Sequence, residues 1–324
     1  MYELQTPGCR GVAAIAALLL STTVIAADAP ARLINVRDMY PSVSPDGTTL
    51  VFESNRSGTS QVYRTEVTDD GRPASTVQLT DAEHGAETPA ISPDGRSIAL
   101  AIYVDEGNND VFIMDLDGGN LRRVTDGPGY DGHPHWSADG QRIVFNSDRT
   151  TPDRSAEWGE RWHEIFSVAL DGGDLRQHTQ CRSVCTYGSL SPDGESVLYR
   201  KVLNTAGLNW ALNPSERNSE VFVADVDGSN ERNLSNHEAF DGWPVWSPDG
   251  SRIAFASNRR GPARTGHIWS VAPDGSGLRQ ETQGTWSYAQ PAWSFDGSSI
   301  FAYQSKETED YEFGSIVEIT LFPR

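Results

Sequence analysis

Apolar and polar positions alternate along this chain in short runs separated by small turns. Six runs share one pattern: Thr49-Leu50-Val51-Phe52, Ser97-Ile98-Ala99-Leu100, Arg142-Ile143-Val144-Phe145, Ser196-Val197-Leu198-Tyr199, Arg252-Ile253-Ala254-Phe255 and Ser299-Ile300-Phe301-Ala302. A period of two predicts strands. Each run follows Ser-x-Asp-Gly, beginning at Ser44, Ser92, Ser137, Ser191, Ser247 and Ser294. That tetrapeptide is a turn with a mechanism. The serine bonds the backbone, proline presets φ where present, and glycine takes the left-handed position that closes a hairpin.

A third strand follows, as in Asp110-Val111-Phe112-Ile113-Met114, Glu164-Ile165-Phe166-Ser167-Val168 and Glu220-Val221-Phe222-Val223-Ala224. Asp-Gly turns come next at Asp70, Asp117, Asp171, Asp227 and Asp274. A short fourth strand then ends at Thr80, Thr125, Thr179, Ser235 or Thr282. Four antiparallel strands in roughly 50 residues is the scale of one propeller blade. The expected fold is therefore all-β, a six-bladed β-propeller. The sixth unit stops at its third strand, Ile316-Val317-Glu318-Ile319-Thr320, whereas Arg32-Leu33-Ile34-Asn35-Val36 lies unpaired before the first unit. The expectation is that this N-terminal strand completes the last blade and closes the ring.

The pattern Pro244-Val245-Trp246-Ser247-Pro248-Asp249-Gly250, continued by Ile253-Ala254-Phe255-Ala256-Ser257-Asn258-Arg259, resembles the repeats of the TolB-like propeller family. The resemblance covers nearly all of the chain after residue 26. It implies a binding or interaction module of the cell envelope with an envelope protein or peptide, or an oligosaccharide, as partner. The α/β domain that precedes the propeller in TolB is not expected, because the first repeat begins close to the expected cleavage site. Some lyases built on related propellers hold a metal with several histidines, so a polysaccharide lyase or glycoside hydrolase acting at the channel mouth is the alternative.

Composition narrows the class. The 324 residues carry a formal net charge of -19, which disfavours nucleic acid or an anionic membrane surface as partner. Arg10, an apolar run to Leu20 and small residues up to Ala27 read as a signal peptide over 1–26, leaving a propeller over 27–324 that does not span the membrane. Its removal takes Cys9 and leaves Cys181 and Cys185, expected to pair in an oxidising compartment.

In such a blade the Ser-x-Asp-Gly and Asp-Gly turns share one face, and the remaining loops share the other. The turn face repeats, so it reads as scaffold; the loop face varies, so it reads as the place for binding. Long loops over 148–163 and 202–219 carry Trp158, Trp162 and Trp210. These tryptophans either form an aromatic binding sector or pack their loops down as satellite cores. Aligned on the repeat, Tyr40, Thr88, His133, Tyr187, Trp243 and Gln290 crowd the channel mouth, with Tyr130, Asp131 and Asp241 beside them. Binding is expected at Tyr130, Asp131, His133, Trp158, Trp162, Tyr187, Trp210, Asp241, Trp243 and Gln290.

No cofactor is expected, and His133 with His135 is not read as a metal site, since other blades place no histidine at the equivalent position. Asp115-Leu116-Asp117-Gly118 lacks the later positions of a calcium loop and reads as a turn. No Gly-x-Ser-x-Gly elbow, phosphate loop or dinucleotide fingerprint occurs.

Overall fold

The computed structural model describes residues 36–67, 75–105, 107–203, 218–260, 265–306 and 314–321. They form six antiparallel sheets around an axis. Five sheets have four strands in sequence order and the last has three. The six inner strands are Asp38–Val43, Ala86–Ile91, Asp131–Trp136, Cys185–Leu190, Asp241–Trp246 and Trp286–Trp293. The signal peptide, Cys9, residues 32–35 of the expected closing strand, the Asp70-Gly71 turn and Trp210 lie outside the described residues.

Every Ser-x-Asp-Gly turn is built alike. In the first, Ser44 Oγ donates to Asp46 Oδ1 (2.6 Å) and accepts from the backbone N–H of Thr49 (2.9 Å). Gly47 takes φ 73°, which a side chain would resist. The fourth strands, such as Arg122–Arg123 and Arg176–Gln177, end two residues earlier than the sequence suggests. The Thr or Ser that follows serves the third strand instead. Thr125 Oγ1 accepts from Val111 N–H (3.0 Å), Thr179 Oγ1 from Ile165 N–H (2.8 Å) and Ser235 Oγ from Val221 N–H (3.0 Å). Those backbone donors would otherwise be buried and unpaired.

The Phe-x-Ser-Asn-Arg sequence at the end of the second strand, with Asp148 in place of Asn in the third blade, also has a physical role. Arg56, Arg149 and Arg259 reach back to the first residue of the inner strand, pairing with Asp38 (2.6 Å), Asp131 (2.7 Å) and Asp241 (2.7 Å). Each guanidinium also lies over aromatic rings: Phe52 and Tyr63, Phe145 and Phe166, Phe255 and Trp269. This clasp repeats in blades one, three and five.

The core lies between successive sheets. Ala99, Val111 and Ile113 of the second blade pack on Trp136, Ile143, Phe145 and Phe166 of the third. Burying such side chains contributes roughly 1.5–3 kcal/mol each. At the ring's junction, Leu50, Phe52 and Tyr63 of the first blade share a cluster with Phe301 of the last. A parallel bridge joins Arg37 to Gly314, matching those of Tyr130, Val184 and Phe240 between other blades.

Candidate functional site

Each inner strand carries a β-bulge against its second strand, for example between Met39 and Ser42 and between Gly242 and Val245. The bulged residues are Tyr40, Thr88, His133, Tyr187, Trp243 and Gln290, within the strands rather than ahead of them. All six are left-handed, with φ of 50°, 52°, 52°, 58°, 52° and 53°. Bulky or β-branched side chains rarely adopt this region, and holding one there costs on the order of 1–3 kcal/mol. Proline follows five of them and spares the bulge an unmet N–H. Gly188 follows Tyr187, where a Cβ would meet Ile165 Cγ2 at 2.4 Å.

The bulge aims the six side chains at the axis, where they form a girdle. Tyr40 and Tyr187, from the opposite first and fourth blades, bring their hydroxyls to 3.4 Å. The His133 ring lies 4.1 Å from that of Tyr187, and Trp243 stands edge-on at 6.0 Å. Gln290 Oε1 accepts from Tyr40 N–H (3.0 Å). His133 Nδ1 donates to Asn146 Oδ1 (2.8 Å), and burial pushes the ring down to about 3, so it stays neutral. The girdle divides the channel in two.

On one side lies a cavity of about 260 Å³, lined by the girdle and by Pro41, Pro134, Pro244, Trp246, Trp293 and Phe295. Its walls are the strand segments between the bulge and the Ser-x-Asp-Gly turns, so it opens towards the turn face. The sequence reading took that face as scaffold. Short side chains after the bulge, such as Ser42, Ala90 and Ala292, leave the space. Phe295 stands at the rim, 57% exposed. Hydrogen bonds from the turn serines, followed by backbone amides, hold the carboxyls of Asp46, Asp94, Asp139 and Asp193 below the usual range. The turn face is therefore ionised and acidic.

On the loop side the axis is polar. Glu87 accepts from Asn109 Nδ2 (2.7 Å), Tyr130 OH (3.2 Å) and Tyr103 OH (3.3 Å). Glu53 accepts from Ser60 Oγ (2.9 Å) and Thr88 N–H (3.3 Å). Burial, then the Glu87 charge, pushes Glu53 up to about 8; burial also raises Glu87. Arg200 is 1% exposed, with its guanidinium over the Tyr187 ring at 4.8 Å.

The residues expected from the sequence divide accordingly. His133, Tyr187, Trp243 and Gln290 meet at the girdle and line the cavity. Tyr130 faces the loop side through Glu87. Asp131 and Asp241 are held in the clasps to Arg149 and Arg259. Trp158 packs on Val184 and Val202 as a satellite core. Its loop is pinned by Asp148, which pairs with Arg154 (3.3 Å) and Arg161 (3.2 Å). Trp162 is half-buried with Arg182 over its ring at 5.8 Å. Cys181 and Cys185 form the expected disulfide. His135 lines the cavity, its Nδ1 within 3.0 Å of Trp136 O.

Sequence reasoning missed Glu53, Glu87, Asn146 and Arg200. A signal was present. The fifth position of the second strand reads Glu53, Ala101, Asn146, Arg200, Ala256 and Tyr303 across the blades, so charge breaks an otherwise small or uncharged position.

Residues 68–308 match the family of the tricorn protease N-terminal beta propeller domain. An uncharacterized protein of Agrobacterium fabrum is 30% identical over 217 residues, 66% of this chain and 67% of that protein. The Tol-Pal system protein TolB of Francisella tularensis subsp. tularensis is 27% identical over 266 residues. That match takes in 78% of this chain but only 53% of that protein. Among solved structures, an oligogalacturonate lyase in complex with manganese superposes with TM-score 0.55 at 16% identity, covering 89% of this chain and 90% of that one. Likeness at that identity shows the fold alone.

Proposed function

The chain belongs to the tricorn protease N-terminal β-propeller family, and on that premise we propose that it is a binding module of the cell envelope, exported after loss of residues 1–26. Its ligand is a peptide segment of an envelope protein, seated in the axial cavity on the turn side. The observation that carries this reading is the cavity itself. Six blades each commit a strained residue to it, and prolines and aromatics line it. An apolar funnel with a few placed polar groups is the usual form of a binding site. The acidic turn face suits a segment whose apolar side chain enters the cavity while Lys or Arg flanks it. Likeness to a TolB supports a protein partner. The proposed contacts are His133, Tyr187, Trp243 and Gln290.

A photo-crosslinking residue at Ala292 in the cavity wall tests this in cells. A discrete adduct, absent when the crosslinker replaces Ser229 on an outer turn and lost with Trp243→Ala, is expected. Equal labelling from both positions would refute it. N-terminal sequencing of the exported protein should begin at Ala27.

A carbohydrate-active enzyme is the second reading, favoured by the similarity to a lyase fold. It requires turnover of an oligosaccharide by the purified protein, with or without added manganese. Among the described residues, no group of three or more His, Cys, Asp or Glu side chains is placed to hold that metal.

A further inference from the structure

The loop-side half of the channel holds charges that do not neutralise one another. Glu53 and Glu87 stand on blades one and two. Arg200 stands on blade four, opposite blade one, with no carboxylate against it among the described residues. Among the described residues its Nε and Nη2 have no hydrogen-bond partner, nor do Asn146 Nδ2 and Thr186 Oγ1. A buried guanidinium that stacks on a ring but lacks an anion and hydrogen bonds at Nε and Nη2 is costly, and filling its position with an apolar residue of similar volume would be cheaper. Ala101 and Ala256 show that the repeat accepts a small side chain at this place. On the loop side of the girdle, Glu87 and Tyr130 lie deep in the fold yet are only half-buried.

The donors and acceptors are segregated. Blades three and four present unused N–H groups from Asn146 and Arg200. Blades one and two present carboxyls whose present partners all donate to them. We propose that this chamber binds a small organic carboxylate that carries a hydroxyl or amine at its far end. Arg200 and Asn146 take the carboxylate, the guanidinium fork suiting a planar anion. Glu87 takes the hydroxyl or amine. This goes beyond the peptide reading and uses the opposite side of the girdle, so Trp243→Ala tests that reading and Arg200 variants test this one.

Calorimetry on the mature protein with D-glucuronate for the hydroxyl form, L-alanine for the amine form, and acetate and D-glucose as controls decides the matter. Saturable binding of glucuronate or alanine, at least tenfold tighter than either control, is expected. Arg200→Met should abolish it while leaving the melting temperature unchanged or higher, because an unpaired buried charge is removed. Arg200→Lys, which keeps the charge but not the fork, should weaken it at least tenfold and holds the test if the methionine variant fails to fold. Glu87→Gln should weaken alanine more than acetate. No saturable heat from any of the four compounds, or binding that survives Arg200→Met or Arg200→Lys, overturns the proposal.

Discussion

The turns and the axis obey opposite rules. Six Ser-x-Asp-Gly turns share one chemistry: serine on aspartate, aspartate on backbone, glycine at positive φ. Six girdle positions share one backbone geometry, at φ 50–58°, yet carry Tyr, Thr, His, Tyr, Trp and Gln. Where chemistry repeats, the residue serves the backbone. Where geometry repeats and chemistry changes, the residue serves what lies in the channel. The comparison identifies scaffold and site without reference to any ligand.

The scaffold side breaks most sharply at a clasp. Arg259→Leu leaves Asp241, wholly buried, without its cation. Breaking a buried pair from one side costs about 3–5 kcal/mol, read as a drop in urea midpoint. A loss under about 1 kcal/mol would mean the clasp is ornamental.

The Cys181–Cys185 bridge comes next. Denatured, exported protein should titrate no free thiol, since Cys9 leaves with residues 1–26. Chain entropy for so short a loop gives about 2 kcal/mol, so reduction should lower stability by that order. Two titratable thiols would remove the staple.

A third effect follows pH, at the axis. Glu53 is raised to about 8 in the native state against an ordinary value near 4.5. The native protein then binds more protons than the unfolded chain across that window. Its contribution to stability is present at low pH and fades as pH rises through about 8. His133, lowered to about 3, acts oppositely: its contribution fades as pH falls below about 6.5. Glu53→Gln should flatten the fall in stability between about pH 4.5 and about 8 and gain on the order of 1 kcal/mol at pH 8.5. Parallel profiles for variant and parent would put Glu53 in an ordinary environment.

Much of the fold was legible because its determinants are local. Ser-Pro-Asp-Gly specifies a turn by its own bonds, and Val-Phe alternation specifies a strand by period. The ring-closing strand, by contrast, falls largely outside the described residues. The site was half legible. Aligning repeats located His133, Tyr187, Trp243 and Gln290, because equivalent positions in a closed ring converge on its axis. Which way the cavity opens was hidden. It depends on the bulge, a count of two residues against one between paired strands, and no single strand displays that count. Asp131 and Asp241 read as free carboxylates because their partners, Arg149 and Arg259, stand 18 residues away. Arg200 was masked by alternation, since a charged residue in a half-apolar strand reads as solvent-facing.

The smallest effect bears most directly on the division between scaffold and axis. Thr88 is β-branched, left-handed at φ 52° and buried, and its Oγ1 has no hydrogen-bond partner among the described residues. If girdle side chains are held for what they present to the channel, removing this one should cost the fold little. Urea unfolding of Thr88→Gly at neutral pH should give a stability within about 0.5 kcal/mol of the parent, or above it, because relief of the left-handed strain offsets the lost methyl and the added freedom of the unfolded chain. A loss of about 2 kcal/mol or more would show that the girdle is itself scaffold, and would contradict the account.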